Sequence, residues 1–257
     1  MGVETDSFET SEDAVLGGRL RLRQPKRGHR VGHDAILLAA ATGGRAGERV
    51  ADLGAGVGGA GLALAARVVG LDVTLVEIDQ ALCALAAGNS RLNGLESRVR
   101  AVCADIADIA GLPAAALAQE HIDRVLMNPP FNDARRQNVS PDPNRRLAHV
   151  ATPDLLPRWV AVAGWLLKPQ GVLTLIWRAD GLPEVLGALK GEFGGVAVLP
   201  VYPREAAPPI RVLVRAVKGG QAPRIDYPGL ILNDEQSKPT AAAEAVLRGG
   251  KTLKIAD

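Results

Sequence analysis

From Glu48 onward the chain alternates short aliphatic runs with alanine-rich stretches of helical length, and that alternation narrows the fold more than any other feature. The runs at 49–53 (RVADL), 72–78 (DVTLVEI), 98–106 (RVRAVCADI), 121–128 (HIDRVLMN) and 171–177 (GVLTLIW) read as buried strands. Between them the pattern predicts helices from about 59 to 69, over DQALCALAAGNSRLN with Asp79 as its cap, and over 153–168. LPEVLGALK follows as a further helix. Strands separated by helices call for right-handed crossovers and a parallel sheet covered on both faces. The last two apolar runs, 196–203 and 210–218, have only a loop between them and therefore read as a closing antiparallel pair. The expected architecture is α/β: a Rossmann-like, doubly wound, seven-stranded, mostly parallel sheet with an antiparallel last strand.

A chain of 257 residues suits one sizeable domain of this kind. The text divides into an N-terminal basic segment (1–44), the alternating core (45–220) and a C-terminal extension (221–257) packed on the same domain. Residues 1–14 read as loosely ordered, and AILLAAAT at 35–42 as a short apolar helix ended by Gly43 and Gly44. Aromatic residues are only 3% of a chain that is 47% hydrophobic, which fits aliphatic strands under alanine-rich helices. No run approaches the ~20 apolar residues of a membrane helix. The acidic, polar start is unlike a secretory signal, so a cytoplasmic protein is expected. Cys83 and Cys103 form no CxxC pair and lie in apolar segments, and both read as small core residues. His29 and His33 stand four apart beside Asp34, but no third and fourth ligand is near, so no metal is expected.

After the first core strand comes Asp52-Leu53-Gly54-Ala55-Gly56-Val57-Gly58-Gly59. Glycines at a strand end let the backbone turn sharply and approach a ligand with no Cβ in the way. Glu77 lies about 20 residues on, at the end of the second strand, where a carboxylate accepts hydrogen bonds from ribose hydroxyls. These residues leave both NAD and S-adenosylmethionine open as cofactors. Strand four ends in Asn128-Pro129-Pro130-Phe131. Neither proline has an N–H to extend a ladder, so they hold the chain stiffly at the carboxyl edge of the sheet. A plain rigid strand exit explains the prolines but not the Asn before them or the aromatic after.

Here a family resemblance enters. D-L-G-x-G-x-G after a strand resembles the first motif of class I S-adenosylmethionine-dependent methyltransferases, and V-E-I-D resembles their second. The resemblance implies S-adenosylmethionine as cofactor, with Asp52 at its methionine amino end and Gly54, Gly56 and Gly58 against it. It places Glu77 on the ribose with Ile78 adjacent, Asp105 with Ile106 at the adenine, and Asn128 bordering the cofactor. Asn128-Pro129-Pro130-Phe131 resembles the [Asn/Asp/Ser]-Pro-Pro-[Tyr/Phe/Trp] signature of enzymes that methylate planar amino nitrogens. By that resemblance these four residues are catalytic. The Asn128 side-chain oxygen and the Pro129 carbonyl would accept the two amino N–H bonds and aim the nitrogen lone pair. Phe131 would give a stacking face worth about 1–3 kcal/mol per base.

Three groups share that signature: nucleic-acid adenine, ribosomal guanine-N2 and release-factor glutamine methyltransferases. Gln24-x-x-x-Gly28-x-Arg30-x-Gly32-x-Asp34, Arg145-Arg146-x-Ala148-His149 and Pro228-x-Leu230-Ile231-Leu232-Asn233-Asp234 are similar to the bacterial enzymes that methylate adenine N6 in a valine tRNA. On that pattern Arg30 and Asp34 help shape the methionine end of the cofactor site. Charge points the same way. Arg19, Arg21, Arg23, Lys26, Arg27 and Arg30 form one basic block, and Arg135, Arg136, Arg145 and Arg146 another beside the pocket. Two such runs suit phosphate contacts around a splayed-out base, against the competing reading of an ordinary solvated surface. An RNA adenine-N6 methyltransferase with tRNA as partner is the favoured reading. The alternatives are a ribosomal guanine or protein-glutamine methyltransferase, an NAD-dependent oxidoreductase, and a non-catalytic RNA-binding module.

Overall fold

The computed structural model describes residues 9–28, 30–112, 117–130 and 154–256. It opens with an antiparallel hairpin, β1 (Thr10–Val15) against β2 (Leu20–Pro25), in register from Thr10↔Pro25 to Val15↔Leu20. This corrects the expectation of loose order for residues 10–14, while residues 1–8 lie outside the described residues. The reason lies in β2, where Leu20, Leu22 and Gln24 are buried while Arg21 and Arg23 face out. A period of two with one apolar face is what a strand laid on a core requires. The apolar helix α1 (His33–Ala41) follows, with Ile36 through Ala41 all buried.

The alternating region gives β3 (Arg49–Leu53), α2 (Gly59–Arg67), β4 (Asp72–Glu77), α3 (Gln80–Leu92), β5 (Val99–Cys103) and β6 (Ile122–Met127). Then come α4 (Leu155–Leu166), β7 (Leu167–Arg178), α5 (Leu182–Leu189), β8 (Phe193–Tyr202) and β9 (Arg211–Lys218). The order across the sheet is β8-β9-β7-β6-β3-β4-β5. Strands β3 to β7 pair in parallel, and β9 runs antiparallel to both β7 and β8. These are the seven strands that the alternation predicts, with the antiparallel one last in the chain. The C-terminal extension adds more than expected. Two short strands, β10 (Ile225–Asp226) and β11 (Leu230–Ile231), pair in parallel with β8, so the sheet has nine strands. Helix α6 (Ala241–Leu247) closes the chain, its first turn capped by the Thr240 hydroxyl, which accepts from the Ala243 N–H at 3.1 Å.

Two apolar layers sandwich the sheet. One joins Leu20 and Leu22 of the hairpin to Leu38, Leu62, Leu75 and Ala86 from the α1, α2, β4 and α3 side. The other joins Leu53, Met127 and Trp177 to Leu156, Val160 and Leu189 of α4 and α5. With β4 on one side of β3 and β6 on the other, the chain reverses its winding direction at β3. Open α/β sheets bind ligands at the carboxyl edge of that reversal. Leu53 pairs directly with Met127. Gly54 and Asn128, the next residue of each strand, therefore flank one crevice.

Candidate active site

The cofactor half of the crevice is built on buried carboxylates that already have partners. Gly54, Gly56 and Gly58 all have positive φ, at 67°, 56° and 90°, so the strand-to-helix turn demands glycine. Their missing side chains serve different ends. A Cβ on Gly56 would meet nothing within 4 Å, which leaves open space for a ligand to approach the backbone. A Cβ on Gly54 would collide with Trp159 Cη2 and lie 3.0 Å from its Cζ3. The Gly54 position is thus filled from inside the protein, by an indole of α4, rather than kept open for a ligand.

Glu77 is buried at the tip of β4, and its carboxylate accepts from the Gly56 N–H at 2.8 Å and the Asp79 N–H at 2.9 Å. Those bonds fix the carboxylate while leaving lone pairs for a diol. Asp79 in turn caps α3 by accepting from the Ala81 and Leu82 N–H groups, as its position predicts. Asp52 is buried and accepts from the Gly61 N–H at 2.7 Å. Burial, reinforced by the nearby Glu77 charge, pushes its carboxyl up to about 7. Beside them Ile78 is 47% exposed although it directly follows a buried strand. An uncovered aliphatic face at this point is suited to a flat ring. Asp105 is exposed, with its Oδ1 taken by the Ala107 N–H at 2.8 Å, and Ile106 packs beneath it. Asp52, Gly56, Glu77, Ile78 and Asp105 therefore fit a nucleoside-bearing cofactor with an amino-acid tail.

Cys103 ends β5 exposed, with Sγ 3.6 Å from the Ile78 carbonyl, so its expected place in the core is corrected. Cys103 is the last residue of the strand, at the carboxyl edge of the sheet. Cys83 is buried, and that burial pushes its thiol up to about 11.

Across the crevice stands the acceptor half. Pro129 is buried and Pro130 half-buried, so the chain leaves β6 held against the protein. Asn128 Oδ1 is buried and, among the described residues, has no hydrogen-bond partner. A buried acceptor without a donor costs about 1–3 kcal/mol, so this oxygen stands ready for an N–H brought by a ligand. Phe131, Arg135, Arg136, Arg145, Arg146 and His149, and likewise His29, lie outside the described residues.

The N-terminal basic block is largely engaged with the hairpin itself. Arg21 and Arg23 both pair with Glu12, and Lys26 reaches Glu9 at 3.4 Å. Arg30 donates to Asp13 at 2.6 Å, to Ser11 Oγ at 3.0 Å and to the Pro25 carbonyl at 3.0 Å. The Gln24 amide and these neighbours hold the Asp13 carboxyl below its usual range. Asp34 lies in the first turn of α1, joined to Arg211 at 2.8 Å. Arg30 and Asp34 thus brace the elements around the site, while Arg27 is exposed. One residue with a clear role here, Trp159, escaped the sequence reading because it carries no local signal.

The fold and the site define a class I S-adenosylmethionine-dependent methyltransferase. Comparison with known proteins agrees: the chain belongs to the methyltransferase small domain family, whose model matches residues 31–201. A tRNA1(Val) (adenine(37)-N6)-methyltransferase of Dickeya chrysanthemi is 27% identical over 230 residues, covering 85% of this chain and 86% of that one. The 23S rRNA (uracil(1939)-C(5))-methyltransferase RlmD of Azoarcus sp. is 34% identical, but this chain spans only 33% of its length. A release factor glutamine methyltransferase of Chlorobaculum tepidum is 31% identical over 60% of this chain and 53% of its own. Among solved structures, a predicted O-methyltransferase of Agrobacterium tumefaciens superposes with a TM-score of 0.71 at 30% identity. It covers 86% of this chain and 97% of that one.

Proposed function

We propose that this methyltransferase acts on a planar exocyclic amino group, adenine N6 in tRNA. The observation that carries the proposal is the buried Asn128 Oδ1 at the crevice beside Gly54, unpartnered among the described residues. An aromatic amino nitrogen is a poor nucleophile because its lone pair is delocalised. Accepting its N–H bonds at Asn128 Oδ1 and the Pro129 carbonyl turns that lone pair out of conjugation and steadies the positive charge that develops on nitrogen. S-adenosylmethionine supplies an activated methyl group bonded to a sulfonium. The new N–C bond replaces the S–C bond, and the nitrogen then loses its proton to solvent, so no strong base is needed.

In this reading Asp52, Gly56, Gly58, Glu77, Ile78, Asp105 and Ile106 hold the cofactor, Gly54 lets the loop turn against Trp159, and Arg30 and Asp34 shape the methionine end. Phe131 stacks on the base, and Arg27, Arg135, Arg136, Arg145 and Arg146 meet phosphates. The tRNA preference draws on the Dickeya relative, which is matched over 86% of its length while RlmD is matched over 33%. The work of the chain divides accordingly into a basic lead segment (1–44), the methyltransferase core (45–220) and an extension packed on it (221–257).

The test is incubation with methyl-labelled S-adenosylmethionine and separate tRNA, ribosomal RNA and protein pools, followed by nucleoside and amino-acid analysis. Label in tRNA as N6-methyladenosine is expected. Label confined to protein glutamine or to ribosomal RNA would overturn the RNA choice while leaving the amino-group chemistry standing.

A further inference from the structure

The N-terminal hairpin lies on α3 through two asparagines that imitate a neighbouring strand. Asn93 Oδ1 accepts from the Arg21 N–H at 2.9 Å, and its Nδ2 donates to the Arg21 carbonyl at 2.7 Å. Asn89 repeats the pattern one turn earlier: Oδ1 accepts from the Arg23 N–H at 2.7 Å and Nδ2 donates to the Arg23 carbonyl at 2.9 Å. The match is geometric. Four helical residues rise about 6 Å and two strand residues about 6.6 Å, so amides at i and i+4 on α3 meet alternate residues of β2.

The two differ in where the second amide hydrogen goes: Asn93 Nδ2 also donates to the Asn89 carbonyl at 2.7 Å, at the end of α3. Asn89 is fully buried, and its Nδ2 also donates to the Val57 carbonyl at 3.0 Å, inside the glycine loop. The neighbouring loop residues have their own ties. The Ala55 N–H donates to the Val76 carbonyl, the Gly56 N–H to Glu77, and the Gly58 N–H to the Ala55 carbonyl. Asn89 is what links that loop to β2. We infer that Asn89 is a positioning residue for the cofactor: through it the hairpin sets the shape of the glycine loop and hence cofactor affinity. Asn93 ties the hairpin to the end of α3.

The pair of asparagines supplies its own control. Both Asn89→Ala and Asn93→Ala should lower the melting temperature, since each removes one amide pair from β2, and Asn89→Ala should do so more because its amide is fully buried. Only Asn89→Ala should weaken S-adenosylhomocysteine binding, about fivefold to tenfold by titration calorimetry, as the loss of one or two buried hydrogen bonds implies. Its KM for S-adenosylmethionine should rise with kcat nearly unchanged. Asn89→Asp keeps the acceptor for Arg23 and loses both donors, and it should show the same affinity loss. Equal affinity changes at Asn89 and Asn93, or none at Asn89, overturn the assignment. Should the Asn89 variants fail to fold, hydrogen exchange on the unaltered protein decides. By reciprocal linkage, S-adenosylhomocysteine should slow exchange at the Arg23 amide, and an unchanged rate there refutes the coupling.

Discussion

The two halves of the crevice are finished to different degrees. On the cofactor side Asp52 and Glu77 are buried, and each already accepts from main-chain N–H groups. On the acceptor side Asn128 Oδ1 is also enclosed but, among the described residues, has no hydrogen-bond partner. A carboxylate anchored by main-chain N–H groups holds its orientation before any ligand arrives. An orphaned oxygen recovers its desolvation cost only when a donor enters. The contrast teaches that the donor site is shaped in advance, while the acceptor site is completed by the substrate.

Substitutions can break this contrast. The largest effect is expected for Asn128→Ala, which should slow methyl transfer by about 10²–10³-fold, the usual cost of losing a group that stabilises developing charge. Cofactor affinity, read by calorimetry, should stay nearly unchanged; an equal loss of both would merge the two halves into one structural unit. Next comes Glu77→Gln. It removes the charge facing the Gly56 and Asp79 N–H groups and should weaken cofactor binding about tenfold or more. Single-turnover rates at saturating cofactor should change little.

Gly54→Ala should lower stability by roughly 1–2 kcal/mol for a left-handed backbone and by a further about 1–3 kcal/mol for overlap with Trp159. Adding Trp159→Leu should return part of the second loss in thermal melts. No recovery would mean that the indole is not what occupies the Gly54 position. The smallest effect is a pH slope. Burial raises Asp52 from 3.8 to about 7, so its neutral form is the one the fold favours. That contribution is complete below pH 3.8 and is lost as pH rises through about 7. The melting temperature of the cofactor-free protein should therefore decline over this window, and less steeply in Asp52→Asn. Cofactor affinity should move oppositely, since an ionised Asp52 is the better partner for an ammonium group.

The cofactor side was legible in the sequence because its demands are local. A strand end, glycines at positive φ and a carboxylate at the next strand tip leave marks at fixed spacing, and Asp79 announced its helix. The hairpin was hidden because β1 (TSEDAV) has almost no apolar face and the arginines of β2 draw the eye to charge rather than to its period of two. Strands β10 and β11 are two residues each, too short for any pattern. Asn89 and Trp159 act through contacts 66 and 105 residues away in sequence, at Arg23 and Gly54, and no local window registers such pairings. The same holds for the N-terminal arginines: a basic run was visible, but its partners Glu9, Glu12 and Asp13 become apparent only when the hairpin folds.

One feature of the sheet bears on how the protein behaves in a crowded solution. Because β9 inserts between β7 and β8, the long strand β8 becomes the outermost of the seven, with one side of its ladder turned away from the sheet. The extension returns to cover that side: Ile225 and Asp226 pair at Ala197 and Val198, and Leu230 and Ile231 at Val201 and Tyr202. Pro228 and Gly229 interrupt the cover, so it cannot itself become a long continuous edge. The tail thus guards against strand-to-strand self-association, a hazard that any open sheet carries wherever its last strand is left bare.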